Sequence, residues 1–200
     1  MADFMRDLPL SWGEHPDESN VSSDWRELAA DVLNQAAALL DASEVGDATL
    51  EWLATDFARA AIPRRRVDAD NDDWPDGSAE GVRALARDTR TGRPVSVRLL
   101  SRIVAAYLQL AHELDAKAQL AARTSGAVAL YLAAKAPTPI RAVTRGHTLR
   151  ARDAGWEFGR GPVLEDDAVP MIEFLLGRSD HAPSPLPPHP HPHPHPHPHR

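Results

Sequence analysis

Histidine is the side chain whose repetition most suggests chemistry here. His189, His191, His193, His195, His197 and His199 alternate with proline at the end of the chain. Clustered imidazoles bind zinc, nickel or copper loosely, and they gain positive charge as pH falls through about 6.5. An unselected repeat expansion in a GC-rich gene accounts for the same run. Away from the tail, His112 stands with Glu113 and Asp115 in a long helical pattern. At about 100° per residue it lies roughly 130° from the centre of the apolar stripe, which turns it toward solvent or a neighbouring element. Arg178 ends the last apolar helix, where a guanidinium favours the helix C-terminus by about 0.3–1 kcal/mol. Arg141, Arg145, Arg150 and Arg152 are spaced like outward-facing strand residues that guard a sheet edge. Arg64, Arg65 and Arg66 are followed by Asp68, Asp70, Asp72 and Asp73, whose charge cancels their field. No glycine-rich phosphate loop, nucleophile elbow or His-Glu-x-x-His motif occurs.

The elements that position these residues follow from periodicity. Asp24 to Asp41 repeats Trp25, Leu28, Val32, Leu33, Ala36 and Leu40 at helical spacing behind an Asp24/Glu27 capping pair. A second helix is expected over about Ala48 to Ala61, stopped by Pro63, and a short one over Ser78 to Asp88. Between them, Arg64 to Gly77 reads as a charged connection. The apolar stripe from Leu100 to Ala121 predicts one long helix over Val95 to Arg123, the centre of a bundle. Ser125-Gly126 interrupts it, and Ala127 to Ala136 resumes as a short helix. Ile140 to Thr144 and Thr148 to Arg152 then alternate about Gly146 and predict a hairpin. A third strand puts Trp156 and Phe158 on one face and Glu157 on the other, and Gly161-Pro162 turns the chain into Val163-Leu164-Glu165. A closing helix takes Asp166 or Asp167 as its cap, Pro170 in its first turn, Met171, Ile172, Leu175 and Leu176 as its apolar face, and Gly177 after its last turn.

The expected fold class is α+β. An irregular lead-in (1–21) precedes a helical bundle (22–136), a small α/β C-terminal domain (137–180) and a disordered His/Pro-rich tail (181–200). The chain has 200 residues, a net charge of -7 and 42% hydrophobic residues. That balance suits a globular body and argues against a general nucleic-acid binder, which needs a basic face. With no cysteine there is no disulfide, thiolate ligand or cysteine nucleophile. No signal-peptide core and no apolar run of about 18 residues occurs, so the expected location is cytoplasmic, without a membrane partner.

The run Thr148-Leu-Arg-Ala-Arg-Asp-Ala-Gly-Trp156, then Gly161-Pro-Val-Leu164, then Ile172-Glu-Phe-Leu-Leu-Gly-Arg178 resembles the C-terminal domain of the mycothiol-dependent maleylpyruvate isomerase family. His112 to Asp115 is similar to the His-x-x-Asp sequence on the long bundle helix of that family. The resemblance covers about residues 95 to 178 and is strongest at Leu175-Leu176-Gly177-Arg178. It implies a DinB-like bundle before the C-terminal domain, a thiol-dependent isomerase or transferase activity, a small-molecule substrate, and zinc and mycothiol as cofactors. Family members are similar in holding the metal with a His from the first bundle helix and a Glu-x-x-x-His pair on the long helix, since residues four apart share a helical face. The resemblance makes His112 a residual metal ligand and Arg178 the anchor of a substrate carboxylate, held by a bidentate fork. The chain departs from the pattern at two ligands: Leu108 stands four residues before His112, and the first helix has no histidine. The alternative is a small-molecule or protein-binding domain that has lost the metal and the reaction.

Overall fold

The computed structural model describes residues 24–63 and 77–186. The lead-in, residues 64–76 of the charged connection and the Pro-His repeat of the tail lie outside them. Among the described residues the protein is α+β, with seven helices and one four-stranded sheet.

Four helices form the first part: α1 (Arg26–Ala42), α2 (Asp47–Ala61), α3 (Ala79–Thr91) and α4 (Val97–Glu113). α3 and α4 pack on α1, and α2 packs on α4. The periodic apolar residues of α1 face inward as expected, with Val32, Leu33, Ala36 and Leu40 all buried. Its expected capping pair is not made. Asp24 Oδ1 instead accepts the N–H groups of Arg26 at 3.2 Å and Val95 at 3.0 Å, tying the start of α1 to the chain that enters α4. Burial raises the Asp24 carboxyl, but the hydrogen bonds from Val95 and Arg26 outweigh it and hold the group below the ordinary carboxylate value. Ser78 and Ser96 cap α3 and α4, accepting from Gly81 N–H at 3.0 Å and Leu99 N–H at 3.3 Å.

The long helix expected over Val95 to Arg123 is two segments. Asp115 adopts φ 48° and the Ala116 N–H bonds Ala111 O at 2.8 Å, the reversal that closes a helix when one residue turns left-handed. Aspartate tolerates that conformation better than most residues. The chain then leaves the helix axis, held by a hydrogen bond from Gln119 N–H to the Tyr107 hydroxyl at 3.2 Å. Ser125-Gly126 is no interruption, because α5 (Ala122–Lys135) runs through both.

The first half of the predicted hairpin is also a helix, α6 (Thr138–Thr144), started by Pro137 and Pro139. Ile140 and Thr144 are its buried residues, and four residues apart they satisfy the helical period as well as the alternating one. Arg141 therefore guards no sheet edge; its guanidinium donates to Ala136 O at 2.8 Å. The strands are β1 (Thr148–Ala151), β2 (Glu157–Gly159) and β3 (Val163–Asp166), and α7 (Ala168–Leu175) closes the unit. A further short strand, β4 (Ser184–Pro185), keeps the chain on the sheet beyond the expected start of the tail.

The sheet order is β2-β1-β3-β4, with β2 antiparallel and β3 parallel to β1. β1 is central, so Arg150 and Arg152 do not guard an edge either. Arg150 pairs with Glu157 at 2.9 Å and Glu165 at 3.8 Å, and Arg152 pairs with Asp167 at 3.1 Å. The Asp167 hydrogen bond and charge raise the Arg152 guanidinium further above its ordinary value. Asp167 occupies the cap position of α7 without capping it, its carboxylate being engaged by Arg152, while Asp153 Oδ1 accepts from Ala168 N–H at 2.8 Å.

Consecutive strands β2 and β3 flank β1, so Arg160, Gly161 and Pro162 must carry the chain across the start of β1. Two strand spacings, about 9.5 Å, are covered by this short connection. It lies directly on Gly146 and His147. A Cβ on Gly159 (φ +108) would meet His147 O, and one on Gly161 (φ +111) would meet Gly146 O, so only glycine fits either place. The Thr148 N–H and Oγ1 fasten the crossing by donating to Pro162 O at 2.9 Å and Gly161 O at 3.2 Å.

Bundle and sheet share one apolar core. Val128, Ala129, Ile140, Leu149, Leu164, Met171 and Ile172 belong to the same buried cluster as Leu33, Leu100 and Ile103. α5 is the bridge, packed against both α4 and α7. Trp156 stacks on Phe158 at 5.5 Å between centroids, on the shared face the alternation predicts, and its Nε1–H donates to Ser125 Oγ at 2.9 Å. Trp52 of α2 is 60% exposed.

Candidate functional site

The residue that joins the two parts at their surface is Arg178. α7 ends as its sequence predicts: Gly177 takes φ +72°, and the Arg178 N–H bonds Glu173 O at 2.9 Å. This reversal turns the Arg178 side chain back across the bundle. Its Nη1 donates to Ala105 O of α4 at 2.7 Å. Arg178 is thus not restricted to its own helix end.

Its guanidinium lies at the mouth of a cleft of about 200 Å³ between α2 and α4. Leu53, Phe57, Ala106 and Leu110 supply an apolar floor, and Asp56, Arg102, Gln109, Glu113 and Arg178 supply a charged rim. Each rim group has a place set by its helix. Arg102 donates through Nη2 to Arg59 O at 3.2 Å and through Nε to Ala60 O, satisfying carbonyls at the end of α2 that have no partner within the helix. Gln109 and Glu113, four apart on α4, bond at 2.8 Å. Two guanidinium and two carboxylate groups leave the rim formally neutral. The volume is below the about 300–1,000 Å³ of drug-sized sites, so the cleft admits only a small ligand.

His112 lies in the last turn of α4 with its side chain exposed, facing away from the core as its angular position predicts. It does not line the cleft. Leu108, at the position where the resemblance calls for a glutamate, is 2% exposed and part of the core. Among the described residues no three His, Cys, Asp or Glu side chains come together in a way that could hold a metal ion. Among the described residues His112 thus belongs to no donor set of the kind that the resemblance implies. The tail histidines His189 to His199 lie outside the described residues. Among the described residues no helix is long and apolar enough to cross a membrane.

The sequence singled out Arg178 but gave no sign of Arg102, Asp56 or Gln109. Their charges at exposed helical positions look like any solvated face, and only the packing of α2 on α4 brings them together. No family model, no curated protein and no solved structure matches this chain.

Proposed function

We propose that the chain is a degenerate relative of the mycothiol-dependent maleylpyruvate isomerases that works as a non-catalytic small-molecule-binding protein, its helices a DinB-like bundle. The observation that carries this reading is the reach of Arg178 from the end of α7 onto α4, at the rim of the cleft. One Nη1–H is engaged with Ala105 O, which leaves the rest of the fork for a carboxylate. The rim charges argue for the kind of ligand. A dianion would face Asp56 and Glu113 as well as the two arginines, whereas an amino-acid-sized zwitterion presents one charge of each sign to a neutral rim.

Calorimetry on the full chain with a panel of amino acids and C4 dicarboxylates tests this. The expected result is saturable binding of a zwitterion, weakened at least ten-fold by Arg178→Gln, with dicarboxylates weaker. Equal affinity in Arg178→Gln, or no binding across the panel, would sink the proposal. Arg102 is unsuitable for the test because its substitution uncaps α2.

The same position of Arg178 also favours a second reading, a thiol-dependent isomerase or transferase with Arg178 as substrate anchor. Zinc in that reading would need donors from outside the described residues in addition to His112. Turnover of a mycothiol-dependent substrate by the purified protein would establish this second reading over the first.

A further inference from the structure

The start of β1 combines features that the cleft does not use. Arg145, Gly146 and His147 lead into β1, and Arg160, Gly161 and Pro162 cross directly over them. Arg145 and Arg160 are both exposed, and among the described residues neither guanidinium has a carboxylate or carbonyl partner. The backbone N–H groups of Gly146 and Gly161 likewise find no acceptor there, while that of Arg160 faces His147 O at the end of the β1–β2 ladder. His147 buries Nδ1 without a hydrogen-bond partner among the described residues.

The charge around this point is one-sided. No Asp or Glu occurs from residue 116 to residue 152, in a chain whose net charge is -7. The crossing itself, from Phe158 to Leu164, has none. The acids nearest to it, Glu157 and Glu165, are both engaged by Arg150. The far end of β1 is neutralised in the same way, Arg152 by Asp166 and Asp167. Among the described residues, the glycine-lined end of the sheet keeps its arginines unpaired.

We propose that this loop pair is an anion site that takes the phosphate group of a small phosphate monoester. Two guanidinium groups match phosphate oxygens bidentately, and unpaired backbone N–H groups on tight glycine turns supply further donors that need no side chain. A carboxylate has one oxygen fewer and one charge less, so it binds more weakly. The site is separate from the Arg178 cleft and does not depend on how that cleft is read.

The test uses amide nitrogen–proton correlation spectra of the full chain at pH 8, where the tail imidazoles are neutral. Inorganic phosphate, glycerol phosphate and acetate are each added against a sodium chloride series of equal ionic strength. The expected result is saturable movement of the Gly146 and Gly161 signals with both phosphates, weaker with acetate and absent with chloride. Arg145→Gln and Arg160→Gln, each at an exposed position, should raise the apparent Kd at least five-fold with the rest of the spectrum unchanged. Arg123→Gln, in the same acid-free stretch on α5, should leave it within two-fold. Shifts that follow ionic strength alone, that scatter over the surface, or that persist undiminished in both variants would overturn the site.

Discussion

Ser125→Ala tests the joint between bundle and sheet. Ser125 is fully buried, and its Oγ accepts the Trp156 Nε1–H at 2.9 Å while donating to the α5 backbone at Ala121 O, 3.1 Å. Removing the hydroxyl loses the local bond to Ala121 O, which the helix carbonyl survives because it still accepts the Ser125 N–H. It also loses the bond to Trp156, about 1 kcal/mol, and leaves a partly buried indole N–H without a partner, about 0.5 kcal/mol more. Alanine returns about 0.5 kcal/mol as the better helix former. The net expectation is a loss of about 1 kcal/mol, a fall in Tm of about 2–4 °C at this chain length. Trp156→Phe removes the same hydrogen bond from the other side while keeping a ring against Phe158. Urea unfolding of both single variants and the double variant, followed by far-ultraviolet circular dichroism, should give a coupling near 1 kcal/mol. Additivity within about 0.3 kcal/mol would refute the claim that this bond fastens α5 to the sheet.

Other substitutions probe the remaining joints. Gly161→Ala should destabilise the protein by about 3 kcal/mol, since alanine there is strained in conformation and blocked by Gly146 O, whereas Gly146→Ala (φ +80, open space) should cost about 1 kcal/mol; equal losses in chemical unfolding would contradict the crossing geometry. Asp24 has a folded pKa below its unfolded one, so its contribution is present above the unfolded value and is lost as pH falls through the folded one. Asp24→Asn should therefore lose less stability than the parent below about pH 4, and parallel pH profiles would count against this. Leu108→Glu restores the Glu-x-x-x-His spacing but buries a carboxylate in the core; it should lose about 3 kcal/mol or more, with zinc raising its Tm no more than the parent's.

Much of the fold was legible because its signals were local. Gly177 ends α7, Pro63 follows α2, and Trp156 shares a face with Phe158, each as residue type and spacing required. The failures have equally local causes. Asp115 ends α4 without a glycine or proline to announce it, while the apolar stripe runs on through Leu114 and Ala118. Ile140 and Thr144 fit two periods at once, and the prolines beside them decided for helix. Of the site, Arg178 stood out by its place after Gly177. Its destination on Ala105, and its company of Arg102 and Asp56, depend on helix packing that no single stretch encodes. The unpaired state of Arg145 and Arg160 was equally hidden, since the matching alternation at Arg150 and Arg152 ends in ion pairs.

The crossing of Gly159 to Val163 over β1 bears on how the chain tolerates change in length. Surface loops ordinarily absorb extra residues at little cost. This one lies at the surface, yet it sets the register of β3 with no slack: Leu164 pairs with Leu149 and is buried, while its neighbours in the strand are less so. One inserted residue would slide β3 by one position and turn Leu164 outward, taking the pairing of β4 with it. Length variation is therefore better tolerated in the turn between β1 and β2, where Gly155 has open space around it, than in the connection after β2.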